Sequence, residues 1–516
     1  MKTTPMDPLF LGIDVGTTSA KTVLADLSGA TLWTTSAPYR YESPEPGSAE
    51  QNPEDWWDAV GIMVRELLSR SPEARHRIAA VGVSGQGVAA ALLDDAGRPL
   101  RPAMLWLDVR CSGQAELLNH DSGDRIARIS GKRPAAYNVE PKLLWLKENE
   151  PQIWKKTWKV MTTTAYVIFR LTRRPVMNYS DGGILLAYDL RNNCWSEELI
   201  ELMGLPPSIY CDLAPCAQVI GEVTPEAAAF TGLAEGTPVI AGGEDTSSAG
   251  LAIGVTSSGA ALLSLGSACT MYIPIVEPAV DPRLLSFPHV VENLTLIGGS
   301  MVGGGNAMDW IARALSPGAP SKDEASEILA TLTREAAAVP AGAGSVVFLP
   351  YLAGELQPIN DGFARGVFFG LSLSTRRGEL VRAVMEGSAF AIRHNLAVAG
   401  SQGAKPERLV AVGGPTRNDV WCQIIADATR LPVQVMEENG GAPLGDAVLA
   451  AKGVGLITTY QSMVEAHSRR RRLFEPQHDA SERYDQLFEV YTDLYPRLKD
   501  LFPRLAHPTG NLGQQA

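Results

Sequence analysis

The sequence predicts an α/β protein built from two large domains. Its 516 residues are too many for one ordinary hydrophobic core. Segments with strand, helix and glycine-turn patterns alternate along the chain, which is typical of an α/β architecture. A strand–turn–strand design also occurs twice, about 250 residues apart. We therefore expect two structurally related domains that face each other, one over residues 8–254 and one over residues 255–505.

The first of these hairpins opens the chain. Residues 9–14 are an apolar strand that ends in Asp14, and residues 21–26 read as the returning strand. The tip of such a hairpin presents backbone N–H groups, and a carboxylate beside it can hold Mg²⁺ directly or through water. An ordinary hairpin without a ligand is the alternative. The hydroxyl-bearing turn residues that can bind phosphate oxygens are Thr17, Thr18 and Ser19.

The second hairpin has the same design. Residues 260–265 form an apolar strand, residues 266–270 the turn, and residues 271–274 the resumed strand. Coincidence among 49 glycines is the alternative explanation. The polar stretch at residues 253–258 reads as the connector between the two domains.

Asp245 is the candidate catalytic base. An apolar strand runs into Gly242-Gly243-Glu244-Asp245, where the glycines let a ligand approach the backbone. A carboxylate at that point can take a proton from an attacking hydroxyl. The alternative is that Asp245 caps a helix that begins at Ser247.

Two helices are predicted near the C-terminus. One follows Thr375, which is a good N-cap type, and the other follows the glycine loop Gly413–Arg417. The second helix also follows an apolar strand at residues 409–412. A strand, a glycine loop and a helix in this order direct backbone N–H groups toward an anion or a nucleotide.

Charge and composition exclude several classes of function. The formal net charge of −12 argues against a nucleic-acid or membrane surface. The six cysteines show no zinc-site or disulfide spacing, and residues 1–7 show no signal-peptide pattern, so a cytoplasmic location is expected. No P-loop motif occurs. The segment Gly85–Ala90 fits a dinucleotide-binding motif only formally, because residues 90–97 read as a strand and turn rather than as the required helix.

Taken together, these residues resemble the FGGY family of carbohydrate kinases over roughly residues 9–500. The markers in family order are Gly12–Ser19, Gly82–Gln86, Trp106–Arg110, Pro141–Trp145, Gly242–Asp245, Ser264–Ser267 and Gly413–Asn418. The resemblance implies the actin-like ATPase (ribonuclease H-like) fold, with nucleotide and sugar bound in the interdomain cleft. It also implies ATP and Mg²⁺ as cofactors and phosphorylation of a sugar hydroxyl.

The family's residue roles are carried over to the matching positions. Asp14 is expected to serve the metal and Asp245 to act as the base. The residues expected to bind ATP are Thr17, Thr18, Ser19, Lys21, Gly266, Ser267, Gly305, Asp309, Gly414 and Asn418. The residues expected to contact the sugar are Gln86, Gly87, Val88, Asp108, Tyr137, Glu244 and Asp245.

Within the family, the stretch at residues 46–57 is most similar to the xylulokinases, so D-xylulose is the first expected substrate. Xylulokinases typically carry Met-His where this chain has Gly87-Val88, and Trp-Asn-Asp where it has Trp106-Leu107-Asp108. These changes leave other acceptors open, namely ribulose, L-xylulose, erythritol and glycerol. A homodimer is the assembly considered. A nucleotide-binding switch on the same fold, or a kinase-like protein without activity, are the alternatives of another class.

Overall fold

Two seven-stranded sheets organise the computed structural model, which describes residues 7–315, 322–436, 440–465 and 471–505. The strands of the first half are β1 (Leu9–Val15), β2 (Ser19–Asp26), β3 (Thr31–Pro38), β4 (Glu50–Gln51), β5 (Ile78–Gly85), β6 (Ala91–Leu93), β7 (Ala103–Met104), β8 (Lys159–Met161), β9 (Val176–Asn178), β10 (Tyr188–Asp189), β11 (Cys194–Trp195), β12 (Asp212–Ala214), β13 (Val219–Glu222), β14 (Pro238–Ile240) and β15 (Gly243–Glu244). The first sheet has the order β13-β14-β5-β1-β2-β3, and β15 also pairs with β5.

Nine helices belong to this first half. They are α1 (Pro53–Arg70), α2 (Ser112–Ser130), α3 (Val139–Asn149), α4 (Pro151–Trp154), α5 (Thr163–Thr172), α6 (Tyr179–Gly182), α7 (Glu197–Leu202), α8 (Pro225–Thr231) and α9 (Asp245–Ala252). The sequence explains where α1 begins, because the Asn52 side chain accepts a hydrogen bond from the Glu54 N–H and Pro53 fills the first helical position.

The second half repeats the plan. Its strands are β16 (Ala260–Leu265), β17 (Cys269–Ile275), β18 (Leu285–Pro288), β19 (Thr295–Met301), β20 (Val347–Leu349), β21 (Val367–Phe369), β22 (Arg408–Val412), β23 (Val433–Met436) and β24 (Arg471–Phe474). Its helices are α10 (Gly305–Leu315), α11 (Lys322–Ala337), α12 (Arg377–Ser401), α13 (Asp419–Thr429), α14 (Gly441–Gly453), α15 (Gln461–Val464), α16 (His478–Leu498) and α17 (Phe502–Leu505). The second sheet has the order β18-β19-β17-β16-β22-β23-β24. Short 3-10 helices cover Pro72–His76, Pro207–Ile209, Ala343–Ser345 and Gly414–Arg417.

Both predicted hairpins are confirmed. Strands β1 and β2 pair antiparallel and set Asp14 opposite Lys21, and β16 and β17 pair antiparallel around the turn at residues 266–268. Because each hairpin lies inside its own sheet, beside a parallel neighbour, its turn projects from the end of that sheet. The two halves are therefore structurally related, as the sequence predicts, while the division at 254/255 stays a prediction.

The predicted C-terminal helices are present, with one correction. The N-cap of α12 is Arg376 and not Thr375. The carboxylate of Glu379 accepts a hydrogen bond from the Arg376 N–H, as the N3 residue of a capping box does, while the Thr375 hydroxyl accepts a bond from the Ser372 N–H. The preference of threonine for N-caps was outweighed by this bond to Glu379 and by the use of the Thr375 hydroxyl in the preceding turn. The strand β6 after Gly85–Ala90 confirms that no dinucleotide-binding helix begins there.

Helix α14 crosses from the second half to the first sheet. It packs on β1 and β5 and lies against α9. The contact is backbone to backbone: a Cβ added to Gly12 would lie 1.7 Å from the Pro443 carbonyl oxygen, and one added to Gly82 would lie 2.2 Å from that of Asp446. Glycine is therefore required at both strand positions. The paired helices α9 and α14 join the two halves beneath the cleft.

Hydrophobic cores fill the space behind each sheet. In the first half the large side chain of Trp56 is fully buried and meets Tyr166 edge-on, with ring centroids 5.9 Å apart. Among the described residues, no helix is long and apolar enough to cross a membrane.

Candidate active site

The turn of the first hairpin is held by three side chains from neighbouring elements. The Tyr39 hydroxyl donates to the Gly16 carbonyl at 2.5 Å, and the Trp106 indole N–H donates to the Thr17 hydroxyl at 3.1 Å. The side-chain amide of Gln51 donates to the Thr17 carbonyl at 3.0 Å. These bonds fix the turn without using its outward N–H groups. Four residues of this hairpin are predicted to bind phosphate. Thr18 and Lys21 are exposed, and Thr17 and Ser19 are half-buried.

Asp14 stands at the base of this turn. Its Oδ1 atom is buried and accepts no hydrogen bond. Burial, together with the nearby charge of Asp245, raises the pKa of the Asp14 carboxyl to about 7, while Lys21 opposes the rise. A carboxylate with an unused oxygen and a raised pKa gains from a cation beside it. The predicted metal residue therefore has the right chemistry for Mg²⁺, which proteins commonly bind through one or two carboxylates plus substrate phosphates. In the described part of the chain, no three acidic, histidine or cysteine groups form a ready metal cluster.

Glu244 and Asp245 divide two roles between them. The Glu244 carboxylate accepts a hydrogen bond from the Ser247 N–H at 2.8 Å and so caps α9. The capping role that the sequence left open for Asp245 thus belongs to its neighbour. Asp245 is half-buried in the first turn of α9, and its carboxylate accepts a hydrogen bond from the Thr246 hydroxyl at 3.1 Å. It also hydrogen-bonds with the side chain of Glu244, and burial together with this neighbour raises the pKa of the Glu244 carboxyl well above its usual range. Because Glu244 provides the cap of α9, the Asp245 carboxylate is left at the cleft.

Two further carboxyl groups surround Asp245, and sequence reasoning missed both. Asp446, on α14, is fully buried and accepts a 2.6 Å hydrogen bond from the Ser84 hydroxyl at the end of β5. Burial raises its pKa well above the usual range, and the charges of Asp14 and Asp245 add to the rise. Asp181, bound by the Thr162 hydroxyl, has its pKa raised to about 7 by burial. A single aspartate inside the apolar run 442–451 was the available signal for Asp446.

The second hairpin meets two other predicted nucleotide segments. The Gly305 N–H donates to the Gly266 carbonyl at 2.8 Å, and the Asn306 N–H donates to the Ser267 carbonyl at 3.0 Å. A Cβ added to Gly305 would also lie 3.4 Å from Pro415, in the loop before α13. The hairpin turn, the start of α10 and the Gly413–Arg417 loop therefore form one surface.

The remaining predicted nucleotide residues lie along this surface. Asp309 is exposed on α10, and nothing lies within 4 Å of a Cβ added to Gly414, so the space beside it is open. Asn418 caps α13, because its side-chain oxygen accepts a hydrogen bond from the Trp421 N–H at 3.2 Å. Its role toward adenosine stays a prediction.

The predicted sugar residues at the end of β5 form a narrow turn. Gln86 is buried and its amide donates to the Gln51 side chain at 2.9 Å, so this residue braces the first hairpin. A Cβ on Gly87 would lie 2.9 Å from the Ile184 side chain, which occupies the space that a larger residue would take. Val88 adopts a left-handed backbone with φ of 52°, which is a genuine outlier for a β-branched residue.

Asp108 and Tyr137 are placed differently from each other. Asp108 is fully buried, and its carboxylate is bound by the Ala49 N–H at 2.9 Å and by the Arg110 guanidinium at 2.7 Å. Tyr137 lies on a cavity of about 330 Å³ between the two halves, where Glu355 and Gln357 form the opposite wall. Burial raises the pKa of the Tyr137 hydroxyl to about 12. Sugar contact stays a prediction for both residues.

Tyr272 is a candidate that sequence reasoning missed. It lies on β17 of the second half, yet the charges of Glu244 and Asp245 of the first half help raise the pKa of its hydroxyl, after burial as the main cause. This brings a phenol from the far wall close to the predicted base. Nothing in the sequence distinguishes Tyr272 from an ordinary strand residue, because its neighbours come from the other half of the chain.

The chain matches the sequence profile of the FGGY family of carbohydrate kinases in both parts, the N-terminal domain over residues 9–252 and the C-terminal domain over residues 261–454. It is 31% identical to the xylulose kinase of Bacillus subtilis (strain 168) over 483 residues, covering 93% of this chain and 95% of that protein. A gluconokinase of Bacillus licheniformis is 27% identical over 494 residues, covering 94% and 95%. The crystal structure of xylulose kinase from Rhodospirillum rubrum superimposes with a TM-score of 0.90 at 34% identity, covering 96% of this chain and all of that one.

Proposed function

This chain belongs to the FGGY family of carbohydrate kinases, with its two-domain actin-like ATPase fold, and from that premise we propose that it transfers the γ-phosphoryl group of ATP to a hydroxyl of D-xylulose. The observation that carries the proposal is the available carboxylate of Asp245, held at the cleft by a helix that Glu244 caps. The choice of D-xylulose is supported by the similarity to xylulose kinases over nearly the whole chain.

The nucleotide is proposed to lie between the two hairpin turns. The N–H groups and hydroxyls of residues 16–19 face the phosphates from one side, and Gly266 and Ser267 face them from the other. The adenosine is proposed to lie along Gly305, Gly414 and Asn418, whose segments form one continuous surface. Phosphoryl transfer depends mainly on positioning and charge stabilisation, and these groups provide both.

Asp14 is the residue proposed to hold Mg²⁺ with the phosphates. Its buried and unpartnered Oδ1 atom fits that role. When bound, Mg²⁺ neutralises charge on the phosphate oxygens. Lys21, opposite Asp14 on the neighbouring strand, adds a second positive charge on the same side.

Asp245 is proposed to take the proton from the attacking sugar hydroxyl. It lies in the first turn of α9, and a carboxylate is a suitable acceptor for that proton. The hydroxyl oxygen then attacks the γ-phosphorus while the bond to the β-phosphate oxygen breaks, which yields a sugar phosphate and ADP.

The residues at Gly87 and Val88, in the proposed sugar pocket, bear on which acceptor the enzyme prefers. At Gly87 the chain has no side chain and at Val88 only a short one, where xylulokinases typically carry methionine and histidine, and Ile184 fills the space beside Gly87. Another ketopentose or a polyol is therefore the second candidate for the acceptor. The cytoplasmic location and the homodimer stay predictions.

The test is coupled ADP release with Mg-ATP across a panel of acceptors. The panel contains D-xylulose, D-ribulose, L-xylulose, ketotetroses, erythritol, glycerol and, because of the gluconokinase relative, gluconate. Strong turnover of D-xylulose is expected. A higher kcat/KM for another member would keep the kinase mechanism and overturn the assigned substrate. ATP binding without stimulated turnover on any member would contradict the proposal and favour a nucleotide-binding switch or an inactive kinase-like protein.

A further inference from the structure

Lys142 is a lysine buried beneath the proposed sugar pocket. It lies on α3, and its side chain has no solvent exposure. Its ammonium donates to the carbonyl oxygen of Val88 at 2.9 Å and to that of Tyr137 at 2.7 Å. Both carbonyls belong to residues that are predicted to contact the sugar, and they come from chain segments about 50 residues apart. One buried cation therefore ties two walls of the pocket together.

The bond to Val88 has a particular consequence. A β-branched residue at a φ of 52° is strained, and such a conformation persists only when the surrounding structure holds it. The Val88 carbonyl is held by Lys142, while the Gln86 N–H, two residues earlier, donates to the Val15 carbonyl at 2.9 Å. The left-handed turn that shapes the pocket is thus fixed from both ends.

The bond to Tyr137 acts on the other wall. Tyr137 comes directly before Asn138, the N-cap residue of α3. The hydrogen bond from Lys142 to the Tyr137 carbonyl therefore holds the loop that precedes α3 against the helix. Burying an ammonium is unfavourable unless it is well hydrogen-bonded, and burial lowers the pKa of Lys142 to about 7. The acidic groups near the ammonium that oppose this lowering are the Cys111 thiol and the carboxyls of Asp108 and Glu140. Asp108 is itself a predicted sugar residue.

We propose that Lys142 is a positioning residue for the sugar: it touches no substrate, but it fixes Val88 and Tyr137 in the arrangement that the acceptor requires. This inference rests on the proposed function. It predicts that replacing Lys142 impairs binding and turnover of the sugar but not binding of ATP, because Lys142 makes no described contact with either nucleotide hairpin.

The test compares Lys142→Met with Lys132→Met. Lys132 is a matched control, since it is also buried, has its pKa lowered to about 7 by burial and donates to backbone carbonyls, those of Ser130 and Leu185. Neither of these carbonyls belongs to a predicted sugar residue. We expect K142M to lower kcat/KM for the acceptor about 10- to 100-fold, the scale of a misplaced contact, mainly through the sugar KM. The KM for ATP and the ADP release without sugar should stay within about two-fold of the wild type.

K132M should lose thermal stability to a similar degree and keep the wild-type sugar KM. An equal rise of the sugar KM in the two variants would mean that Lys142 has only a structural role, which would contradict the inference. An unchanged sugar KM in K142M would also overturn the inference, while leaving the proposed function intact. If the wild type turns over no acceptor, the proposed function fails, and this inference fails with it.

A double-mutant cycle supplies the independent check. Val88→Gly removes the left-handed strain, because glycine adopts a positive φ readily. If Lys142 acts through Val88, K142M should cost less sugar kcat/KM in the V88G background than in the wild type. Additive effects would contradict the link to Val88. Should K142M fail to fold, Lys142→Gln, which keeps an N–H donor, takes its place in both comparisons.

Discussion

At the scale of single residues, two adjacent carboxylates in this cleft have different roles. The Glu244 carboxylate accepts a hydrogen bond from the Ser247 N–H and caps α9, while the carboxylate of the next residue, Asp245, lies at the cleft. The backbone of Glu244 is extended, with φ of −78° and ψ of 142°, which is the N-cap geometry, whereas Asp245 is already helical. The difference between them is therefore conformational rather than chemical.

The first prediction concerns Asp245→Asn. The amide has nearly the same shape but accepts a proton poorly, so sugar-dependent ADP release should fall on the order of 10²- to 10⁴-fold, as is usual when a general base is lost. Steady-state kinetics with the preferred acceptor measure the fall, and titration calorimetry should show nearly unchanged ATP binding.

Glu226→Gln is the control for Asp245→Asn. Glu226 is also an acid in the first turn of a helix, α8, but it is exposed on the surface. The E226Q enzyme should keep the wild-type rate. Nearly full activity in D245N would remove Asp245 from the role of base.

The sequence predicted a functional carboxylate at Asp245, but it did not indicate which residues surround it. A strand that runs into two glycines and two acids predicts a carboxylate at the cleft, but it does not say which acid caps the helix, because that depends on backbone angles. Asp446 reaches Ser84 across 362 residues of chain, and Tyr272 comes from the opposite half. Such long-range neighbours leave no local pattern, so sequence reasoning could not place them.

At the scale of elements, the decisive contact is helix α14 on strands β1 and β5. The helix backbone approaches Gly12 and Gly82 so closely that no side chain fits between. Gly445 of α14 makes the reverse contact, since a Cβ there would lie 1.9 Å from the Ser248 carbonyl oxygen of α9. The helix that carries Asp446 is thus fixed to both the sheet and the helix that carries Asp245.

The second prediction follows from this contact. Gly12→Ala would place a Cβ 1.7 Å from the Pro443 carbonyl oxygen, and neither backbone can move without shifting β1 or α14. We expect a loss of about 3 kcal/mol of unfolding free energy, the upper part of the range for overpacked sites. Urea unfolding followed by tryptophan fluorescence measures it. Gly400→Ala, on α12 with nothing within 4 Å of the added Cβ, is the control and should be neutral or stabilising by up to about 1 kcal/mol. Equal stability of the two variants would contradict the close approach.

At the scale of the whole molecule, the repeated hairpin predicted the architecture correctly. Each hairpin is local in sequence, so its strands, its turn and its glycines could be read directly. The position of α14 could not be read from the sequence, because an apolar stretch at residues 442–451 indicates burial without indicating which sheet covers it. The cleft between the halves likewise depends on contacts between distant segments, and for that reason the sequence shows the two hairpin turns directly but does not show how the predicted sugar residues are arranged.

The last prediction concerns coupling between the two ligands. The proposed sugar residues lie mainly in the first half, Tyr272 reaches them from the second, and the proposed nucleotide site uses a hairpin from each half. A sugar that draws the halves together therefore also brings the two phosphate turns closer, and by linkage each ligand should strengthen binding of the other. We expect saturating acceptor to lower the Kd of a non-hydrolysable ATP analogue about 5- to 150-fold, the usual span of such coupling. Titration calorimetry with and without the acceptor measures this ratio. An unchanged Kd would mean that the two sites bind independently and that the hairpins are already set at their working distance before the sugar arrives.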